Sequence, residues 1–310
     1  TMPRPVNVYG APVPTGLPAG FPDHWLIDQS TRGWSVHAVV EPGALPRQGT
    51  LQDATVTFAA ATPANNADNL VVNLFALCSC MHDLLYLLGF REPDGNFQTD
   101  NRGRGGRSGD PVLARVHPGP VFGTANMGTP PDGSRPTMNM GLVSSTGRHT
   151  ALDPDVVFHE YTHGLTNRLV GGPLNDSALD AVQSGGMGEG WSDFFACVAL
   201  NKTVVGNWVV DRSTGIRKFR YNDDFPDNYG SLGTGRYVGD AVHNLGEIWC
   251  ATLMTLTRRI GAWETAQVVV DALKLTPANP SFLAARDAIL LAADRYAEAR
   301  GDGAIERADF

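Results

Sequence analysis

The run His159-Glu160-Tyr161-Thr162-His163 sets two histidines four residues apart with a glutamate beside the first. On a helix, residues four apart lie one turn apart on the same face, so both imidazoles can reach one metal ion while Glu160 stays free to handle a proton. A catalytic zinc site takes three protein ligands and leaves its fourth position to water. The third ligand must come from a separate element, and Glu189 fits because Asp193, four residues on, shares its helical face. Metal-bound histidines usually donate their second ring nitrogen to a carboxylate, and Asp193 is placed to receive it. A lone pattern of this length also arises by chance on a solvated helix face. The Gly185-Gly186-Met187-Gly188 lead, the Trp191 that follows and a helical setting for both motifs weigh against chance. The arrangement is that of a zinc peptidase, with His159, His163 and Glu189 on the metal and Glu160 free to handle a proton.

These residues need rigid carriers. Asp153 supplies an N-cap and Pro154 the first helical position, and the helix they open runs to about Leu169, where Gly171-Gly172-Pro173 stops it. Further helices are predicted over residues 188–200, 240–259, 263–273 and 281–300, and an apolar one over 70–90. Residues 1 to about 65 are rich in Pro, Gly and Thr, with β-favouring runs at 34–40 and 54–59. Residues 92–133 read as a long irregular stretch, and the alternating run 137–143 reads as a strand near a sheet edge. A β-rich first half and an α-rich second half predict an α+β fold of two lobes, residues 1–169 ending in the motif helix and residues 170–310 carrying the third ligand.

Composition sets outer limits. A chain of 310 residues with 42% hydrophobic and 18% charged residues can bury a large core. A net charge of −8 offers no attraction to nucleic acid or anionic membranes, and neither is expected as a partner. Arg102, Arg104 and Arg107 lie among glycines, and in an acidic chain they read as a surface loop tying down strands rather than an RNA-binding segment. The apolar stretch 70–90 contains Asn73, His82 and Asp83, which makes it a buried core helix rather than a membrane span. Cys78, Cys80, Cys197 and Cys250 are too few for a disulfide framework, and their pairing stays open. The Pro-rich start shows no secretory signal, and the chain reads as a processed form.

Four segments carry a resemblance to the fungalysin family of secreted zinc metallopeptidases, relatives of thermolysin: His82-Asp83-Leu84-Leu85-Tyr86, residues 159–169, residues 185–195, and Val242-His243-Asn244-Leu245-Gly246-Glu247-Ile248-Trp249. The resemblance runs over most of the chain from about Asn69 onward. It implies a thermolysin-like metallopeptidase fold, zinc on His159, His163 and Glu189, and catalysis by Glu160. It also implies that His243 stabilises the transition state and that Asn126 lies on the edge strand that holds substrate. It further implies secretion, protein or peptide substrates cut with a hydrophobic residue on the leaving-group side, and a pro-segment acting as inhibitor or chaperone. Asp240 is a weak candidate to orient His243. Asp223, Asp224 and Asp227 are the calcium candidates, with a solvated loop as their default. Two alternatives remain: a zinc aminopeptidase, which normally has a shorter gap to its glutamate, and a non-catalytic peptide-binding protein on a peptidase scaffold, against which the intact Glu160 argues.

Overall fold

Among the described residues, a four-stranded sheet of order β1-β4-β6-β5 and two small strand pairs pack with six α-helices. The computed structural model describes residues 17–18, 21, 25–238 and 242–300. Strand β1 (Val36–Val40) is followed by a small hairpin of β2 (Thr50–Gln52) and β3 (Thr55–Thr57), then by helix α1 (Ala67–Leu87). Next come β4 (Val112–Val116), β5 (Ala125–Gly128), β6 (Thr137–Met140) and a second small pair, β7 (Leu142–Val143) with β8 (Arg148–His149). The remaining elements are α2 (Pro154–Leu169), α3 (Val182–Leu200), α4 (Val242–Ile260), α5 (Ala262–Leu275) and α6 (Phe282–Arg300). The α+β character is as expected.

Strands β1 and β4 pair in parallel, as do β4 and β6, whereas β5 runs antiparallel to β6. Parallel neighbours need a crossover, and α1 provides it between β1 and β4. It buries Leu70, Val71, Leu74, Cys78, Met81 and Leu85 in the core. By composition α1 is long and apolar enough to cross a membrane, yet 78% of its most apolar window is buried inside the fold, which accords with a core helix.

Two expectations need correction. Residues 92–133 are not irregular throughout: they contain β4 and β5, and β4 lies inside the sheet with Val112, Ala114 and Val116 buried. The run 137–143 is not one strand, although its first part does lie next to a sheet edge. It divides at Gly141 into β6, which lies between β4 and β5, and β7, which pairs elsewhere; β5 is the edge strand beside it and β1 the edge on the other side. A side chain at 141 would meet the Val121 backbone nitrogen at 2.8 Å, so the chain turns there against its neighbour.

The arginine-bearing loop is a tether. Arg104 Nε donates to Glu92 at 2.7 Å, the Arg102 guanidinium stacks 4.2 Å over the Trp34 ring, and the Arg107 backbone N–H donates to Asp132 at 2.9 Å. Fully buried Arg168, at the end of α2, holds the same region from beneath through Gly95 O, Asp110, Asp132 and Ser134 O. Helix α2 therefore sits at the centre, fixed to the loops at its C-terminal end and packed against α1, α3 and β5.

Candidate metal centre

Helix α2 begins as its sequence demands. The Asp153 carboxylate accepts from the backbone N–H of Asp155, and Pro154 occupies the first turn. His159 and His163 fall one turn apart with their rings nearly perpendicular, and their Nε2 atoms approach to 3.1 Å. Helix α3 brings Glu189 across from them. One carboxylate oxygen lies 3.4 Å from His159 Nε2 and the other 3.6 Å from His163 Nε2.

These separations test whether the residues fit a metal. Tetrahedral bonds of about 2.0–2.1 Å place ligand atoms roughly 3.3 Å apart. The separations of 3.1, 3.4 and 3.6 Å lie near that value, the last two ending on different oxygens of Glu189, so two imidazoles and a carboxylate form a triangle of groups close enough to meet one ion. Among the described residues this is the group of His, Cys, Asp and Glu able to hold an ion. Two of the three calcium candidates are otherwise engaged: Asp227 is bound by Arg236 and Tyr237, and Asp223 pairs with Arg258.

Asp193, one turn beyond Glu189, accepts from His159 Nδ1 at 2.8 Å, the geometry expected of it. It is fully buried and carries more than that one contact. Arg217 donates from Nε and Nη2 to its two oxygens at 2.6 and 3.0 Å, and the Tyr221 hydroxyl donates to it as well. The same Nη2 reaches Glu189 at 3.0 Å, so one guanidinium braces the candidate ligand and its neighbour together. Sequence reasoning missed Arg217 and Tyr221. Both lie in the segment between α3 and α4, where the described residues form only turns and short 3-10 helices and no periodicity marks them.

The charges interlock. Burial opposes the charged form of His159, but Asp193 and Glu189 outweigh it and raise its pKa to about 10. Burial pushes His163 down to about 4. Burial would raise Asp193 as well, yet Arg217 and His159 hold it far below the usual carboxylate range. Glu189 is likewise depressed against its burial, by His163, His159 and Arg217. Positive charge is thus stabilised between two ionised carboxylates, the environment a dication requires.

Glu160 faces a different setting. It is buried, makes no direct hydrogen bond or ion pair among the described residues, and is raised to about 7 chiefly by desolvation, with Glu189 adding and His159 and Arg217 opposing. A carboxyl poised near neutrality suits proton transfer in either direction. His243, in the first turn of α4, is half exposed, with Nε2 3.6 Å from Glu189. Asn126 lies on edge strand β5, where its amide donates to Phe122 O and its carbonyl accepts from Asn139. No polar contact joins it to the metal group, although β5 packs alongside α2. Asp240 lies outside the described residues. All four cysteines are unpaired thiols.

Comparison with known proteins gives the family. Residues 26–308 match the model of the fungalysin metallopeptidase family. The chain belongs to that family. It is 37% identical over 266 residues to an extracellular metalloproteinase, MEP, of Pyricularia oryzae, a match covering 76% of this chain and 42% of that protein. It is also 37% identical over 265 residues to extracellular metalloproteinase 4 of Arthroderma otae, covering 74% and 40%. This fungalysin chain thus spans about two fifths of the length of these relatives. Among solved structures, the precursor of protealysin, a metalloproteinase from Serratia proteamaculans, superposes with a TM-score of 0.54 at 18% identity over 80% of this chain and 79% of that one. At that identity the likeness establishes the fold, the two-lobed α+β arrangement of thermolysin-like metallopeptidases.

Proposed function

We propose that the chain is a secreted zinc endopeptidase that hydrolyses internal peptide bonds. The observation carrying this reading is the triangle of His159, His163 and Glu189 groups, whose nitrogen and oxygen atoms approach one another to 3.1–3.6 Å, with Glu160 on the same helix as the histidines and near neutrality. Zinc bound there supplies Lewis acidity, bringing the ionisation of water near neutral pH and polarising a carbonyl.

The protein's own groups do the rest. Glu160 accepts the proton of the attacking water and passes it to the leaving amine, which would otherwise depart as an unstable anion. His243 is exposed enough to reach substrate and donates a hydrogen bond where negative charge develops on the carbonyl oxygen. Asp193 fixes the tautomer of His159 by accepting from Nδ1, and Arg217 holds Asp193 and Glu189 in register. The free side of β5, near Asn126, offers backbone groups to an extended substrate by strand addition. The division into lobes 1–169 and 170–310 belongs to the same proposal, with α2 as the floor between them. Secretion follows from the extracellular naming of the relatives, and a pro-segment and a hydrophobic leaving-group residue from the family resemblance.

The test uses N-terminally blocked peptides and casein. Cleavage abolished by a chelator and restored by zinc supports the reading, and blocked peptides separate it from an aminopeptidase. A zinc-loaded protein that leaves both substrates intact overturns it.

A further inference from the structure

A cavity of about 620 Å³ opens beside the metal centre. His243 and Arg217, both within reach of Glu189, line it, so the cavity adjoins the place where a substrate bond would lie. Arg212, Lys218 and Glu247 also line it. In a chain of net charge −8 this is a local concentration of positive charge.

The pairing of those charges decides what the cavity can receive. Arg217 is consumed by Asp193 and Glu189. Glu247 is buried and held by Arg236 at 2.9 Å, so it offers no free negative charge. Asp227, an acid whose carboxylate form Lys218 helps to favour, is held by the same Arg236 and by Tyr237. Arg212 and Lys218 are left over. Arg212 donates only to the backbone carbonyls of Gly215 and Arg217, and the Lys218 side chain makes no hydrogen bond or ion pair among the described residues. Arg212 also staples the loop that carries Arg217, which keeps its guanidinium at the cavity wall.

From this we infer that the cavity is a substrate subsite for an acidic side chain, with Arg212 and Lys218 as its specificity-determining cations. The inference rests on the endopeptidase reading and adds to it a class of substrate: peptides with Asp or Glu at one position near the cut bond. A partly exposed guanidinium and an ammonium on a flexible stem favour a carboxylate modestly and in a salt-dependent way.

Internally quenched peptides of one sequence, carrying Glu, Gln or Lys at each of several positions on both sides of the cleaved bond, test it on the zinc-loaded protein. At one position the Glu peptide should exceed the Lys peptide in kcat/KM by about 5-fold at low salt, and the advantage should shrink at high salt. Lys218→Glu should reverse the preference, and Lys218→Gln should reduce it without reversing it. Because the readout is a ratio within each variant, a general loss of activity does not imitate the result. Glu/Lys ratios within twofold at every position, or a preference that Lys218→Glu leaves unchanged, would overturn the subsite. Failure to cleave any of the peptides would instead overturn the endopeptidase reading beneath it.

Discussion

His159 Nδ1 lies 2.8 Å from Asp193 Oδ1, which directs Nε2 of the same ring toward Glu189 and His163. Removing only the charge, as in Asp193→Asn, should weaken zinc binding about 10- to 100-fold, because a neutral amide oxygen accepts more weakly than a carboxylate and the amide can turn its NH2 toward the ring instead. Asp193→Ala should do more. It strips buried Arg217 of its main partner, and loss of one member of a buried pair costs about 3–5 kcal/mol. Competition with a chromophoric chelator and urea unfolding measure the two effects separately. Equal zinc affinity in Asp193→Asn and the parent would remove Asp193 from the orienting role.

Glu160→Gln separates binding from chemistry. Glu160 is not one of the three triangle groups, so zinc content should be unchanged, while peptide hydrolysis should fall by at least about 100-fold. Elemental analysis run beside the assay excludes trivial metal loss. Near-normal turnover in a zinc-replete variant would mean that another group handles the proton.

Arg168 supports the centre from the far end of α2. Its side chain is almost fully enclosed and donates to four acceptors, two of them the carboxylates of Asp110 and Asp132. Burial already raises the Asp110 pKa against the pull of Arg168, so removing the guanidinium strands an acid in the interior. Arg168→Ala should cost about 3–5 kcal/mol in denaturant unfolding. Arg168→Lys should recover only part of this, since an ammonium cannot match the planar fork. A loss below about 1 kcal/mol for Arg168→Ala would show that these loops hold themselves.

His37 should make stability depend on pH. Its pKa is lowered to about 4, first by burial and then by Arg135 and Arg32, and its Nδ1 accepts from Arg135 at 2.8 Å. The unfolded chain takes up this proton near pH 6.5 whereas the folded chain resists it. The contribution is therefore fully present above about pH 6.5 and is lost as the pH falls from there through about 4. Unfolding free energies at intervals between pH 7 and pH 4 should decline less steeply in His37→Gln than in the parent. Parallel curves would assign the acid sensitivity to other groups.

The legible parts were those whose causes are local in the chain. Asp153, Pro154 and the glycines after Leu169 bound α2 by their own backbone chemistry, and the four-residue spacings of His159 with His163 and Glu189 with Asp193 survive intact. Helix α3 begins at Val182 rather than at 188, because Gly185, Gly186 and Gly188 argue against helix by propensity while the packing of Gly185 and Gly186 on α4 demands it. Arg217 and Tyr221 escaped notice because they join Asp193 from more than twenty residues away through a segment without period. β4 escaped because Arg115 interrupts a run of only five residues.

The glycines that hid α3 also yield the sharpest packing test. Helices α3 and α4 approach so closely that a methyl at Gly246 would sit 2.7 Å from Glu189 Cβ, and 2.9 Å from both Gly186 O and Gly190 N. Two of those neighbours are backbone and cannot yield, so Gly246→Ala must part the helices or displace Glu189 itself. Alanine gains about 1 kcal/mol of helix propensity over glycine, but overpacking of this kind costs typically 1–3 kcal/mol. Gly188→Ala on the same helix as Glu189 is the control, because its methyl meets only Leu179 Cδ1, at 3.4 Å. The control should be neutral or slightly stabilised with zinc affinity intact, whereas Gly246→Ala should lose both stability and zinc affinity. If the two variants behave alike, the close approach of α3 and α4 does not position Glu189, and the carboxylate must be held by Arg217 alone.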